Sequence, residues 1–452
     1  MAISLGNGML SHIGFRRVAI VFIGGASISV WPQRADAQQR DTMHAMMSLE
    51  PLGISMSRMG SGTTWIPDAV TLPTREFMAA NWDLMLHGFV FGQYNKQGGP
   101  RGDDQFGSLN WGMFMASHQL AGGRFQARTM LSLDPWTVTP RGYPLLLQTG
   151  ESYRGNPLHD RQHPHDFFME LGVLYDRAIS KTLAAELYVA PSGEPALGPV
   201  AFMHRPSAMD NPLAPLGHHW QDATHIAFGV VTGGVYTTAW KLEGSLFNGR
   251  EPDENRWDFD PITLDSYSGR LTVNPTAHWS LTAGYGYLKS PEALHPEESL
   301  HRVTASVLQG TTIGTDGQWS SALVWGANRF SNTSTWSNAV LVESEAILNR
   351  WNTLFGRAEL AQKNAADLVL PASSFAPEHL FTVSSVSLGY IHELGRGYGV
   401  TLGLGVQGVA NFVSSQLESF YGSRTPLGGL IFLRLRSFHV RASMTEMKSM
   451  QM

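Results

Sequence analysis

Val400-Thr401-Leu402-Gly403-Leu404-Gly405-Val406-Gln407 alternates without a break: Val400, Leu402, Leu404 and Val406 are apolar, while Thr401, Gly403, Gly405 and Gln407 are small or polar. Successive side chains of a strand point to opposite faces, so this period of two gives one apolar and one polar face. Trp240, Leu242, Gly244 and Leu246 oppose Lys241, Glu243, Ser245 and Phe247 in the same way. Phe125, Ala127, Thr129, Leu131 and Leu133 oppose Arg124, Gln126, Arg128, Met130 and Ser132. Working outward, the pattern predicts strands near 82–94, 105–119, 124–134, 166–178, 182–190, 223–235, 238–247, 266–274, 277–288, 300–313, 318–329, 338–349, 351–362, 380–393, 398–411 and 427–439.

Alternation alone suits a soluble sandwich as well as a membrane barrel, and the connections separate the two. Gly122-Gly123, Ser180-Lys181, Asn274-Pro275, Asp316-Gly317, Asn349-Arg350 and Gly395-Arg396-Gly397 read as tight turns. Between them fall long connections: 135–165, 191–222, 248–265, 289–299, 363–379 and 412–426. Short turns alternating with long loops are the mark of an up-and-down barrel. The expected fold is all-β: a transmembrane antiparallel β-barrel of about 16 strands over residues 81–440, with periplasmic turns and extracellular loops. A soluble periplasmic β-rich binding protein is the rival.

Composition agrees. Of 452 residues only 15% are charged, too few for a typical soluble enzyme, and the mean hydropathy of −0.12 is too polar for a bundle of membrane helices. Arg16 and Arg17, the apolar run Val18 to Val30 and Ala35-Asp36-Ala37 form a secretory signal over 1–37, with Met9 an alternative start. A membrane anchor would need about 20 apolar residues, and this run is shorter. Residues 38–80 are then an N-terminal periplasmic segment and 441–452 a tail. Losing three arginines and one aspartate with the signal takes the net charge from −5 to −7. No basic run offers a nucleic-acid surface, and the absence of cysteine excludes disulfides and thiolate chemistry. These features point to the outer membrane of a Gram-negative bacterium, with its lipid and the barrel-insertion machinery as partners.

Trp111, Trp220, Trp257, Trp279, Trp319, Trp336 and Trp351 lie mainly near strand ends, as an interfacial girdle requires. The last strand, Gly428 to Phe438, carries Phe432 and Phe438 on one face. If apolar faces meet lipid, then Arg124, Arg128, Glu170, Glu186, Lys241, Glu243, Glu343, Glu345, Arg357, Glu359, Arg434 and Arg436 point into the lumen. An Arg or Lys facing lipid at the midplane would cost roughly 2–4 kcal/mol. Such a lumen is either a polar passage or one closed by ion pairs and inserted loops.

His159-Asp160-Arg161-Gln162-His163-Pro164-His165-Asp166 packs three imidazoles and two carboxylates into eight residues. A second group, His218, His219, Asp222 and His225, precedes another strand. Both are expected at the extracellular rim, as a shared site for Zn²⁺ or Cu²⁺ or as a network of His–carboxylate pairs locking loops. The acidic stretch Asn248 to Asp258, with Asp260 beyond, lacks the regular spacing of a Ca²⁺ loop and reads better as a salt-bridged surface loop. Its Asn248-Gly249-Arg250 resembles the active-site triplet of outer-membrane phospholipase A. Ser245 and Phe247 stand where that family needs His and Ser, so no catalytic residue is assigned. Methionines gather at both ends: Met43, Met46, Met47, Met56 and Met59, then Met444, Met447, Met450 and Met452. With His44, such thioethers suit Cu(I), or they are incidental residues of tails.

Pro157 to Asp166, Asn248 to Glu254 and Met59-Gly60-Ser61-Gly62-Thr63 resemble stretches of a family of bacterial outer-membrane β-barrel proteins, porin-like in architecture. The resemblance implies location and fold; it carries over no site residues. The functional expectation is a channel for small polar solutes or ions, with a metal-binding barrel as the alternative.

Overall fold

A computed structural model describes residues 51–437. The expected signal sequence, Met43, His44, Met46 and Met47, and Phe438, Met444, Met447, Met450 and Met452 lie outside the described residues.

Period-two segments form strands whose backbone groups must all pair, and a closed sheet satisfies every one of them without an edge. The chain runs through β1 (Thr74–Ala79), β2 (Trp82–Gln97), β3 (Asp104–Leu120), β4 (Gly123–Leu131), β5 (Tyr143–Tyr153), β6 (Asn156–Gln162), β7 (Phe168–Ala178), β8 (Ala184–Gly193), β9 (Ala227–Tyr236) and β10 (Trp240–Phe247). It continues through β11 (Ser266–Thr276), β12 (Trp279–Lys289), β13 (Ser299–Ile313), β14 (Gly317–Phe330), β15 (Ser337–Asn349), β16 (Asn352–Asn364), β17 (Leu380–Gly397), β18 (Val400–Phe412) and β19 (Leu427–Ser437). All strands but β1, β5 and β6 pair antiparallel with their neighbours in one ring of sixteen, closed where Arg434 of β19 faces Phe91 of β2. β1 extends the sheet as a hairpin with the start of β2, and β5 with β6 forms a separate two-stranded hairpin.

The two faces separate as their chemistry requires. Val400, Leu402, Leu404 and Val406 are outward and exposed, whereas Thr401 and Gln407 are buried inside. Leu242, Leu271, Leu323, Val342, Leu388 and Leu433 continue the outward apolar band around the ring. A band of this extent on every strand is a surface made for hydrocarbon.

Each of the sixteen expected ring strands forms, with ends shifted by a few residues. Two expected turns are corrected. Asn274-Pro275 falls inside β11, where the register against β12 shifts, and Gly395-Arg396-Gly397 falls inside β17 beyond a bulge, so the chain reverses at Tyr398-Gly399. Trp111 and Trp220 are also corrected: both are buried inside, while Trp257, Trp279, Trp319, Trp336 and Trp351 are partly exposed.

Candidate functional site

Three segments fill the lumen. Residues 60–72 enter first, satisfying their backbone on wall side chains: Arg128 donates to the Gly62 carbonyl at 2.5 Å, Lys241 to that of Thr63, and Asn274 to that of Ile66 at 3.0 Å. This part of the expected periplasmic segment, residues 60–72, therefore packs against the inner wall. Residues 194–226, between β8 and β9, are buried throughout. The β5–β6 hairpin and its flanks fold against them, with Gln148 donating to the Pro215 carbonyl at 3.0 Å.

Charge holds the inserted 194–226 segment to the wall. Arg205 reaches Glu343 of β15 at 2.5 Å, and Arg357 of β16 takes the other Glu343 oxygen at 2.8 Å. Asp210 pairs with Arg434, and its backbone N–H donates to Glu345 at 3.0 Å. The Leu216 N–H donates to Glu359 at 2.6 Å. Elsewhere on the wall Arg124 pairs with Asp176, Arg128 with Glu170, and Lys241 with both Glu186 and Glu243. Arg436 lies 3.6 Å from Asp210. Of the twelve charged residues expected to face inward, eleven are buried and Glu359 is half-buried, among ion pairs and inserted segments. Gly326 lets the insert approach: a Cβ there would stand 2.1 Å from the Trp220 carbonyl oxygen.

The two histidine motifs meet inside the barrel, which corrects their expected placement at the outer rim. Ring centroids of His163 lie 6.1 Å from His218 and 5.7 Å from His219; His218 and His225 are 5.2 Å apart, and His165 and His225 5.6 Å. Each Nδ1 is anchored. His165 is bonded to Asp134 at 2.7 Å, His218 to Asp222 at 2.8 Å, His225 to the Asp222 carbonyl at 2.8 Å, His219 to Glu251 at 3.2 Å and His163 to the Pro164 carbonyl at 3.1 Å. Donation through Nδ1 leaves Nε2 as the acceptor nitrogen, the tautomer used by most metal-ligating histidines, and the Nε2 of His163 lies 3.1 Å from a Glu151 carboxylate oxygen.

Burial pushes His225 down to about 3, helped by the neighbouring His218 and His165, and pushes His163 well down, helped by Arg256. Burial alone would raise Asp222; the hydrogen bond from His218, with the charges of His218 and Arg205, holds it at about 2. Burial thus disfavours the charged form of His163, His218 and His225 beside the Asp222 carboxylate.

The motif does not act as one unit. His159 and Asp160 turn away to Arg101, which donates to Asp160 at 2.6 Å, and Asp166 pairs with Arg256 at 3.1 Å. Among the described residues, the groups of three His or carboxylate ligands with donor atoms all within 4.8 Å are His295, Glu297 and Glu298, and Asp253, Asp258 and Asp260, both on loops at the mouth. The inward imidazoles converge without reaching that spacing.

Two cavities flank the cluster. One of about 350 Å³ at the mouth is lined by His219, Glu251, Glu292, His295, Arg302 and Asp367, among others. A second, of about 20 Å³, lies deeper against Met130, Met169, Met203, His204 and His225. Sequence reading missed His204, Arg205 and Asp210, which stand alone in the sequence without a motif around them.

The sequence matches no protein-family model and no curated protein. Among solved structures, the chain is similar to an anion-selective porin from Comamonas acidovorans, at 11% identity over 79% of this chain and 100% of that one, with a TM-score of 0.49. It is also similar to a loop L8 deletion mutant of OmpT, an outer membrane protein of Vibrio cholerae, at 8% identity over 79% and 99% of the two chains, with a TM-score of 0.48. OmpF of Salmonella typhi in complex with daunomycin is similar at 8% identity over 80% and 100%, with a TM-score of 0.47. The closed barrel is established by the ring of strand pairings itself.

Proposed function

We propose that the protein is an outer-membrane passage for small polar solutes or ions, held shut by its own inserted segments. Sixteen strands enclose a ring wide enough for an aqueous channel in porins. The observation that carries the reading is the chemistry of the plug surface. Residues 194–226 meet the wall through Asp210–Arg434, Arg205–Glu343 and Leu216–Glu359. A polar interface of this kind can exchange its partners for water when the segment moves, whereas a wholly apolar core would resist wetting.

Conductance in planar bilayers tests this. The intact barrel should conduct in small, intermittent steps, and a folded variant with residues 196–222 replaced by a short Gly-Ser linker should conduct steadily. A folded deletion variant that never conducts overturns the reading.

A second reading, capture of Zn²⁺ or Cu²⁺ by His163, His165, His218, His219 and His225, is supported by the anchored Nδ1 atoms. Calorimetry should show weaker binding of either ion after His163→Ala/His165→Ala. Identical isotherms would remove it.

A further inference from the structure

The small cavity behind the imidazole cluster has a donor set of a different kind. Met130 of β4 and Met169 of β7 reach it from the wall, and Met203, His204 and His225 from the inserted segment. Its volume of about 20 Å³ is that of a single water-sized occupant. Methionine commonly fills irregular gaps, and thioethers alone would be ordinary packing. The imidazoles are not ordinary. Both ring nitrogens of His204 and the Nε2 of His225 are buried with no hydrogen-bond partner among the described residues. Leaving a buried polar group unpaired costs its full desolvation penalty, so a pocket with several such nitrogens is built at a loss unless something binds them.

We propose that this cavity binds one Cu(I) ion through imidazole nitrogen and thioether sulfur, with His204, His225 and the methionines Met130, Met169 and Met203 as the donor set. Soft, uncharged sulfur donors select a soft monovalent ion over Zn²⁺, Mg²⁺ or Ca²⁺. His225 is oriented for the task, since its Nδ1 is fixed on the Asp222 carbonyl at 2.8 Å and its Nε2 lies free. Two carboxylates, Glu170 and Glu194, also line the cavity, and both Glu194 oxygens are buried without a hydrogen-bond partner among the described residues. Glu170 accepts from Tyr188 at 2.6 Å and faces Arg128 at 3.5 Å, and Glu194 lies 3.8 Å from Arg270. They supply counter-charge to a cation. The same chemistry continues deeper: the His87 ring is 5.2 Å from that of His204, and its Nε2 lies 3.1 Å from the Met113 sulfur. The proposal goes beyond passage through the barrel and stands whether or not the barrel conducts.

The full-length mature barrel, folded in detergent, is titrated anaerobically with Cu(I) against bicinchoninate, with Ag(I) as a redox-inert second probe. One equivalent should be retained by the wild type, with sulfur neighbours in its X-ray absorption spectrum. Met130→Leu/Met169→Leu/Met203→Leu, which keeps side-chain volume, should weaken retention at least about 100-fold. His204→Gln serves as an independent variant with a smaller change in the core, expected to weaken it about 10-fold. His295→Ala, at the mouth, should retain the ion as the wild type does. The proposal is overturned if the wild type retains no Cu(I), if retention is unchanged in both folded cavity variants, or if the bound ion has only nitrogen and oxygen neighbours. Bilayer conductance of the same variants separates failure of this site from failure of the passage reading.

Discussion

Arg434, on the last strand of the barrel, holds Asp210 at the middle of the inserted segment, with 2.5 Å between Nη1 and Oδ1 across 224 residues of chain. The other Arg434 nitrogen is bound by Glu393 of β17, and Arg436 stands 3.6 Å from the second Asp210 oxygen. One carboxylate of the plug thus answers two arginines of the wall. Removing it leaves two buried guanidinium groups sharing Glu393.

Asp210→Ala should therefore destabilise the seated plug by about 3–5 kcal/mol, the usual cost of breaking a buried pair from one side. The expected result is a higher open probability in bilayers and an earlier heat-induced mobility shift on gels. Unchanged conductance and melting would show that Asp210 does not hold the segment in place.

The wall half of this pair was legible in the sequence and the plug half was not. Arg434 alternates with Leu433 and Leu435 in a strand, so period two assigns its face before any partner is known. Asp210 sits in an aperiodic stretch, and nothing local says which strand it will meet. One signal was available: Pro195 to Leu216 is rich in Pro, Ala and Leu, unusual for a loop bathed in water, and its burial follows from that. β1 escaped because Thr74-Arg75-Glu76-Phe77-Met78-Ala79 has no alternation. The β5–β6 hairpin escaped because its pairing is broken by register shifts around Gly150.

Gly150 makes a sharper prediction about the histidine cluster. Its φ is +114°, and a Cβ there would stand 2.4 Å from the His219 Nε2. Gly150→Ala meets both a backbone conformation that L side chains rarely adopt and a ring fixed by Glu251. It should destabilise the hairpin by roughly 1–3 kcal/mol and move His219. Limited proteolysis of the 143–162 region should accelerate, while the barrel itself stays resistant. Equal cleavage rates would count against the packing described.

Leu388 offers a test of what the outer face touches. It lies mid-strand in β17 and is 68% exposed, between the inward-facing Ser387 and Gly389. Leu388→Arg should cost about 2–4 kcal/mol of folding into lipid vesicles if the site meets hydrocarbon. Leu388→Ala should cost far less. Equal folding yields for the two would mean that this face does not contact the acyl region.

Asp260 carries the pH prediction. Partial burial raises its carboxyl to about 6, with the nearby Asp253 adding repulsion; the Asp253 N–H donates to it at 3.1 Å. An acid whose folded value lies above its unfolded value of about 4 holds its proton more tightly in the folded loop. Folding of the loop is therefore most favourable below about pH 4, and that advantage is lost as pH rises to 6. Above pH 6 the ionised group is a constant burden, worth about 1 kcal/mol or less once solvent screening at this half-exposed site is allowed for. Asp260→Asn removes the charge and leaves the acceptor oxygen. In the variant, hydrogen-exchange protection factors of residues 249–264, corrected for the intrinsic rate, should be higher than in the wild type at pH 7 and should lose the dependence on pH that Asp260 gives them between 4 and 6. A variant that exchanges as fast as the wild type at pH 7 would show that repulsion among Asp253, Asp258 and Asp260 does not govern this loop.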